Sequence, residues 1–289
     1  MADSSDTRAQ PALHPPCEGS DRRFLGTLAA LGGSYVLLVA LLVAATVAYT
    51  SPAHLWRALN TPEIRYALAL SVLSSTVTTI LCLWIATPLG YLLSRFAAPP
   101  DSGRAEGRMR RVALAAAEAI LDIPIVLPPL VVGIGLLILF KFAPFRWIGD
   151  WVVYEAPAVV LAQFMVACAF AVRTLRSTFD EIPSRQEQVA MTLGASHGAA
   201  FWTVVLPQAR RGLLAAATLS WARSLGEFGP VLVFASSTRL RTEVLPTSVY
   251  LEMQAGNLEG ALAVSVVMIL CALVVLAVTR LIGWRRLMS

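Results

Sequence analysis

Arg223 and Glu227 stand four residues apart in an otherwise apolar stretch, Ala222-Arg223-Ser224-Leu225-Gly226-Glu227-Phe228-Gly229-Pro230. An ionised side chain at membrane depth costs from about 2.5 kcal/mol upward, so each needs a partner, water or a function. Positions i and i+4 share one face of a helix, so the two can pair and offset part of that cost. The spacing leaves two readings open: a structural ion pair that fixes helix packing, or a charged face bordering a polar path. Gly226, Gly229 and Pro230 predict a bent or broken helix here, which lipid tolerates only where protein or water satisfies the freed backbone groups. Asp122, Pro124, Pro128, Pro129, Gly133 and Gly135 make a second interruption in another apolar stretch. Three missing backbone donors predict a kink facing the protein interior or the path, and a packing kink and a gate both fit.

The other reactive side chains do not assemble into catalytic machinery. His14, His54 and His197 are scattered, and no Ser-His-Asp or His-Cys grouping can be built from them. The single lysine, Lys141, belongs to no phosphate-binding loop, so the chain cannot itself supply the lysine of an ATP site of that kind. Cys17, Cys82, Cys168 and Cys271 include no close pair and three lie in apolar runs, which reads as small apolar filling rather than disulfides or zinc. Asp122 and Glu118 lack the paired motifs of a membrane-embedded hydrolase. Glu118, the Ser and Thr residues between Ser71 and Thr79, and Gly32-Gly33 read as helix-packing devices. No cofactor, metal or enzymatic activity is expected of the chain itself.

The elements that position these residues are membrane spans. Hydrophobic residues make up 57% of the 289 and charged residues 14%, against about 25% charge in soluble domains; mean hydropathy is +0.68. Six apolar stretches are long enough to cross about 30 Å of hydrocarbon, near 28–49, 66–94, 112–140, 152–172, 212–235 and 260–282. Residues 1–23 are polar and rich in Pro, Ser and Asp, which predicts a disordered tail ahead of one membrane domain over 24–289. The first stretch is longer than a signal-peptide core and reads as an uncleaved helix.

Arginine placement sets the expected orientation. Arg22 and Arg23, the cluster Arg95 to Arg111, then Arg173, Arg176, Arg185, Arg210 and Arg211, and finally Arg280, Arg285 and Arg286 all fall on one side. The opposite loops hold Arg57, Arg65, Lys141, Arg146, Arg239 and Arg241 over longer sequence. Both termini and the loop from about 173 to 211 are expected on the cytoplasmic side. The net charge of +5 serves topology, not nucleic acid.

That loop contains Glu187-Gln188-Val189-Ala190-Met191-Thr192-Leu193-Gly194-Ala195-Ser196 and then Val204-Val205-Leu206-Pro207. Pro183 and Ser184 predict a helix start, with Ser184 able to cap it. About two turns follow to a bend at Gly194, and a second short helix from Ala195 and Ser196 runs until Pro207 breaks it. Helix, glycine bend and helix make a knob able to enter a groove of a soluble partner; a plain pair of interfacial amphipathic helices is the blander reading.

The run resembles the coupling loop of ABC-transporter permeases, in which Gly is followed by nine residues and then an aliphatic residue, any residue, Leu and Pro. Gly194, the nine residues after it, and Val204-Val205-Leu206-Pro207 match that spacing. The Glu-Ala-Ala part departs from the pattern: Gln188, Val189 and Ala190 occupy those places, with Glu187 one position earlier. Gly226-Glu227-Phe228-Gly229 resembles the fifth core helix of permeases for molybdate, tungstate and sulfate, and Leu127-Pro128-Pro129 with Gly133 is similar to their third. Residues 245–252 and 260–265 resemble the molybdate members more than the sulfate members.

The resemblance covers roughly 65–283 and implies an all-α integral membrane protein of about six spans, with the type I ABC importer permease fold and cytoplasmic coupling helices over about 183–208. It implies a bacterial inner-membrane location and these partners: an ABC ATPase, an extracytoplasmic oxyanion-binding protein that holds the tight substrate site, and a second permease copy, most simply the same chain. Glu187, Gln188, Ala190, Leu193, Gly194, Ala195, Val204, Leu206 and Pro207 are implied for ATPase coupling. Arg223, Glu227, Phe228, Gly229, Pro128 and Pro129 are implied for the path or its gate. A sulfate, thiosulfate or other anion permease, and an ATP-independent carrier, remain as alternatives.

Overall fold

The computed structural model describes residues 18–96 and 105–285, and among them all regular structure is helical. Residues 1–17 of the expected tail lie outside the described residues. Helix α1 (Glu18–Tyr49) is apolar on every side from Phe24 onward, as a lipid-embedded helix must be, and belongs to a unit of its own ending at Tyr49. The second unit, Thr50–Ser289, carries all the residues singled out for coupling and for the path.

This unit opens with a short amphipathic helix, α2 (Pro52–Asn60), and continues into α3 (Pro62–Phe96). Next come α4 (Ala105–Val126), α5 (Pro129–Leu139), the single turn α6 (Gly149–Val152) and α7 (Ala156–Asp180). A projecting segment holds α8 (Ser184–Thr192), α9 (His197–Ala200) and α10 (Leu206–Gln208), the last two joined by a π-turn over Phe201–Val205. The chain ends with α11 (Arg210–Leu225), a second π-turn at Val231–Ala235, α12 (Leu245–Gln254) and α13 (Leu258–Arg285).

Four of the six expected spans are continuous helices long and apolar enough to cross a bilayer: Arg23–Tyr49, Pro62–Arg95, Ala156–Asp180 and Leu258–Leu281. The other two are interrupted. The stretch expected as one span over 112–140 is α4 and α5, bent by 114° between Val126 and Pro129. Each proline disfavours helical backbone in the residue before it, so two in succession force Pro128 to φ −53, ψ 132 and restart the helix at Pro129. Pro124, isolated, is absorbed inside α4. The stretch expected over 212–235 ends its helix at Leu225 after 16 residues, because Gly226 caps α11 and the chain regains helical form only near Pro230.

Helix α7 is the axis of the second unit. Its buried face is dominated by small residues, among them Ala158, Ala162, Ala167 and Ala171, which let neighbouring backbones approach closely where dispersion rather than hydrophobic exclusion holds helices together. Phe179, Leu175, Val172, Cys82, Ala86, Leu93, Val205 and Ala216 form one core cluster shared by α3, α7, the projecting segment and α11. Cys82, Cys168 and Cys271 are free thiols in packed surroundings. Helix α4 is strapped to α7 by Glu118 Oε2 to Arg176 Nη1 and Asp122 Oδ2 to Arg173 Nη2, each 2.8 Å.

At Gly90 a Cβ would sit 3.0 Å from Arg176 N and 3.1 Å from Leu175 Cβ, so α3 and α7 touch through backbone there. Gly90→Leu is expected to separate them at a cost of about 1–3 kcal/mol, read as earlier loss of the monodisperse peak when detergent-solubilised protein is heated before size-exclusion chromatography. Gly135→Ala, where nothing lies within 4 Å, is expected to leave that transition in place.

Candidate functional site

Helix α8 starts differently from the sequence expectation. Pro183, at φ −61, ψ 124, is the N-cap residue, and Ser184 is the first helical residue and makes no capping bond. The other end follows the expectation at Gly194. Ala195 N donates to Ala190 O at 3.1 Å and Gly194 N to Met191 O at 3.0 Å, with Gly194 at φ +94. This is the Schellman closure, whose left-handed position glycine occupies without a steric penalty. Ser196 then caps the next helix, its hydroxyl accepting from Ala199 N at 3.2 Å.

Pro207 does not break the helix, contrary to expectation. It has no N–H to donate and its ring would crowd the carbonyl four residues back, and the wider π-turn over Phe201–Val205 lies where that crowding would fall. The helix therefore passes Pro207 and turns only at Ala209. Val205 is fully buried, whereas Val204 and Leu206 are half-buried, so the aliphatic residues of the motif seat the knob on the bundle.

The knob exposes three large apolar side chains among its polar ones: Leu193, next to the glycine bend, is 84% exposed, Trp202 67% and Val189 51%. Gln188 is exposed, while Ala190 and Ala195 are half-buried. Glu187 points the other way. It is buried; its Oε1 accepts from the Tyr91 hydroxyl and its Oε2 from Arg95 Nε at 3.2 Å. Arg95 Nη1 also donates to Phe179 O at 3.2 Å. Tyr91 is packed edge-on by Phe179 and Phe201, with ring centroids 5.7 and 4.8 Å away. The one-residue offset of the acid is thus a rotation of about 100°, which turns the carboxylate from the knob surface into its base. A second tie joins Gln208 Nε2 to Gln186 Oε1 at 2.7 Å.

The two interrupted spans meet. Gly229 lies so close to α5 that a Cβ would stand 2.9 Å from Pro129 Cβ and 3.0 Å from Leu130 N. Gly133 lies equally close to Pro230 and Val233. Pro128 is exposed beside this contact, and Phe228 packs against Tyr250 with the rings tilted by 56° and centroids 5.4 Å apart. Just before the break, Arg223 Nη1 stands 2.6 Å from Glu227 Oε2. The carboxylate is almost fully buried, and the guanidinium is 29% exposed and lies over the Phe170 ring, 5.8 Å from its centroid.

Structure therefore gathers Gly229, Pro129 and Pro230 into one junction, with Arg223 and Glu227 at its edge, and keeps this group apart in sequence from the knob. Tyr91 and Gln208 escaped the sequence reading, and Gln186 was read there only as part of the helix after Pro183. Arg95 counted there only as a topology charge, and no spacing rule links α3 to a loop some 90 residues later.

A multi-pass helical bundle with two broken spans in contact and an apolar-tipped helical knob is the build of a membrane transport subunit. The chain belongs to the family of binding-protein-dependent transport system inner membrane components, whose family model matches residues 90–286. It is 33% identical over 274 residues to the molybdenum transport system permease protein ModB of Mycobacterium tuberculosis, covering 92% of this chain and 96% of that one. It is 30% identical over 271 residues to the sulfate transport system permease protein CysT of Escherichia coli, covering 89% and 92%. The molybdate/tungstate transport system permease protein WtpB of Thermococcus kodakarensis matches at 32% over 179 residues, 62% of this chain and 64% of that one. The fold is that of the permease in a bacterial alginate ABC transporter crystallised with its periplasmic protein, at TM-score 0.68 and 14% identity over 94% of this chain and 98% of the other. The protein is thus a multi-pass inner-membrane component.

Removing one partner of a buried charge pair leaves the other uncompensated, typically at about 3–5 kcal/mol. Glu227→Gln and Arg223→Gln are each expected to lower thermal stability in detergent, and the double variant to recover part of the loss. Additive losses would show that the two charges do not depend on each other.

Proposed function

We propose that the chain is the permease subunit of an ABC importer for a tetrahedral oxyanion, molybdate or tungstate before sulfate. The observation that carries this reading is the co-occurrence, in one chain, of the knob spaced from Gly194 to Pro207 and the charged break at Arg223–Glu227, within a sequence aligned almost end to end with ModB. The substrate order rests on the identities with ModB, WtpB and CysT. Two copies of the chain would face each other, because one copy holds a single knob and a single broken pair. Both termini and the knob lie on the cytoplasmic side in this reading, following the arginine distribution.

In the proposed cycle the apolar knob tip, Leu193 with Val189 and Trp202, seats in a groove of a separate ATPase, which binds ATP and magnesium. Closure of two ATPases draws the two knobs together. The junction of Pro129 with Gly229 then shifts from inward-open to outward-open, and a docked binding protein releases its anion into the path. No tight anion cage is needed in the chain, because selectivity sits on the binding protein. An ATP-independent carrier has no use for a shaped apolar knob, which places that alternative second.

Purification with its ATPase and binding protein is expected to give two permease and two ATPase chains, with hydrolysis stimulated by the molybdate-loaded binding protein. A chain that binds no ATPase contradicts the importer reading. Gly194→Trp, which strains the φ +94 position and alters the knob tip, is expected to abolish uptake into proteoliposomes while the chain still inserts in the membrane. Unaltered uptake would count against the docking role.

A further inference from the structure

We propose that Tyr91 and Arg95 are positioning residues of a clasp that carries displacement of the knob into α3 and α7. The inference rests on the importer reading and names residues that reading does not use. Its basis is connectivity. The knob is joined covalently to α7 through Glu181–Pro183 and to α11 at Ala209, but α3 lies about 90 residues away along the chain. Among the described residues, every hydrogen bond between α3 and α8 ends on one carboxylate, Glu187: Tyr91 hydroxyl to Oε1 and Arg95 Nε to Oε2.

Both side chains of the ion pair are sheltered, at 16% exposure for Arg95 and 7% for Glu187, so solvent screens it little. The guanidinium lies 5.8 Å from the Tyr91 ring centroid and also holds Phe179 O, at the last turn of α7. One planar group therefore links the ends of two spans to the carboxylate at the base of the knob. Phe179 and Phe201 both pack edge-on against the Tyr91 ring, with centroids 5.7 and 4.8 Å away, and so help to hold it beside Glu187. A knob pulled toward its twin must carry the ends of α3 and α7 with it while the clasp holds. Without the clasp the knob keeps its apolar seat on the bundle through Val205 and Phe201 but loses the polar tie between α8 and α3, so less of its stroke reaches α3.

The test uses the full chain in proteoliposomes with its ATPase and molybdate-loaded binding protein, and reads molybdate transported per ATP hydrolysed. Arg95→Gln and the milder Tyr91→Phe are expected to keep ATPase subunits bound at wild-type stoichiometry while transport per ATP falls, by about tenfold for Arg95→Gln, the scale of an ordinary coupling free energy. The exchanged pair Arg95→Glu with Glu187→Arg is expected to recover part of the ratio. An unchanged ratio in Arg95→Gln, or uptake and hydrolysis falling together with loss of bound ATPase, overturns the proposal and assigns the clasp to fold maintenance. Failure of the importer reading is distinct: the unmodified chain would itself bind no ATPase.

Discussion

Hydrocarbon offers no hydrogen bonds, so every charge and every freed backbone group in a span must find its partner inside the protein. That constraint explains why the two interruptions of this bundle lie against each other. Pro128–Pro129 breaks one span and Gly226–Pro230 another, and Gly229 and Gly133 bring the two broken segments into backbone contact. Arg223 and Glu227 pair as opposite charges one turn away. The continuous helices α3, α7 and α13 need no such arrangement and pack by ordinary small-residue contacts. In the proposed cycle, the part of the bundle that changes shape is the part where helical hydrogen bonding has already been given up.

The knob obeys the opposite rule. Outside hydrocarbon, its backbone is satisfied locally by a Schellman closure at Gly194 and a serine cap at Ser196, so its form does not depend on a partner. Its tip displays Leu193, Val189 and Trp202 to solvent, an exposed apolar group of the kind that marks interaction sites. Its base is held by polar ties, Glu187 to Tyr91 and Arg95 and Gln186 to Gln208. A rigid tip on a tied base can pass on force, whereas a flexible loop would absorb it.

Much of this was legible in the sequence because local chemistry decided it. Consecutive prolines fix a break whatever surrounds them, a glycine at a helix end announces a left-handed cap, and charges at i and i+4 share a face. The spacing from Gly194 to Pro207 located the knob and its motif. What the sequence concealed depended on tertiary contact. Pro207 read as a helix stop, yet the preceding π-turn absorbs it. The break at Gly226–Pro230 was legible, but not that Gly229 would pack it against Pro129 and Leu130 of α5. The family resemblance implied Glu187 for ATPase coupling, and only the placement of Tyr91 and Arg95 on α3 shows that it faces inward. Periodicity finds helices; it does not say which distant helix supplies a counter-charge.

The most direct test of the central claim, that the Gly194 knob is the seat of a separate ATPase, is site-specific photo-cross-linking from a benzophenone side chain placed at Leu193 in native membranes. The account predicts a single covalent product with an ATPase subunit whose yield changes when ATP is added. Cross-links to lipid alone, or a product insensitive to nucleotide, would contradict it.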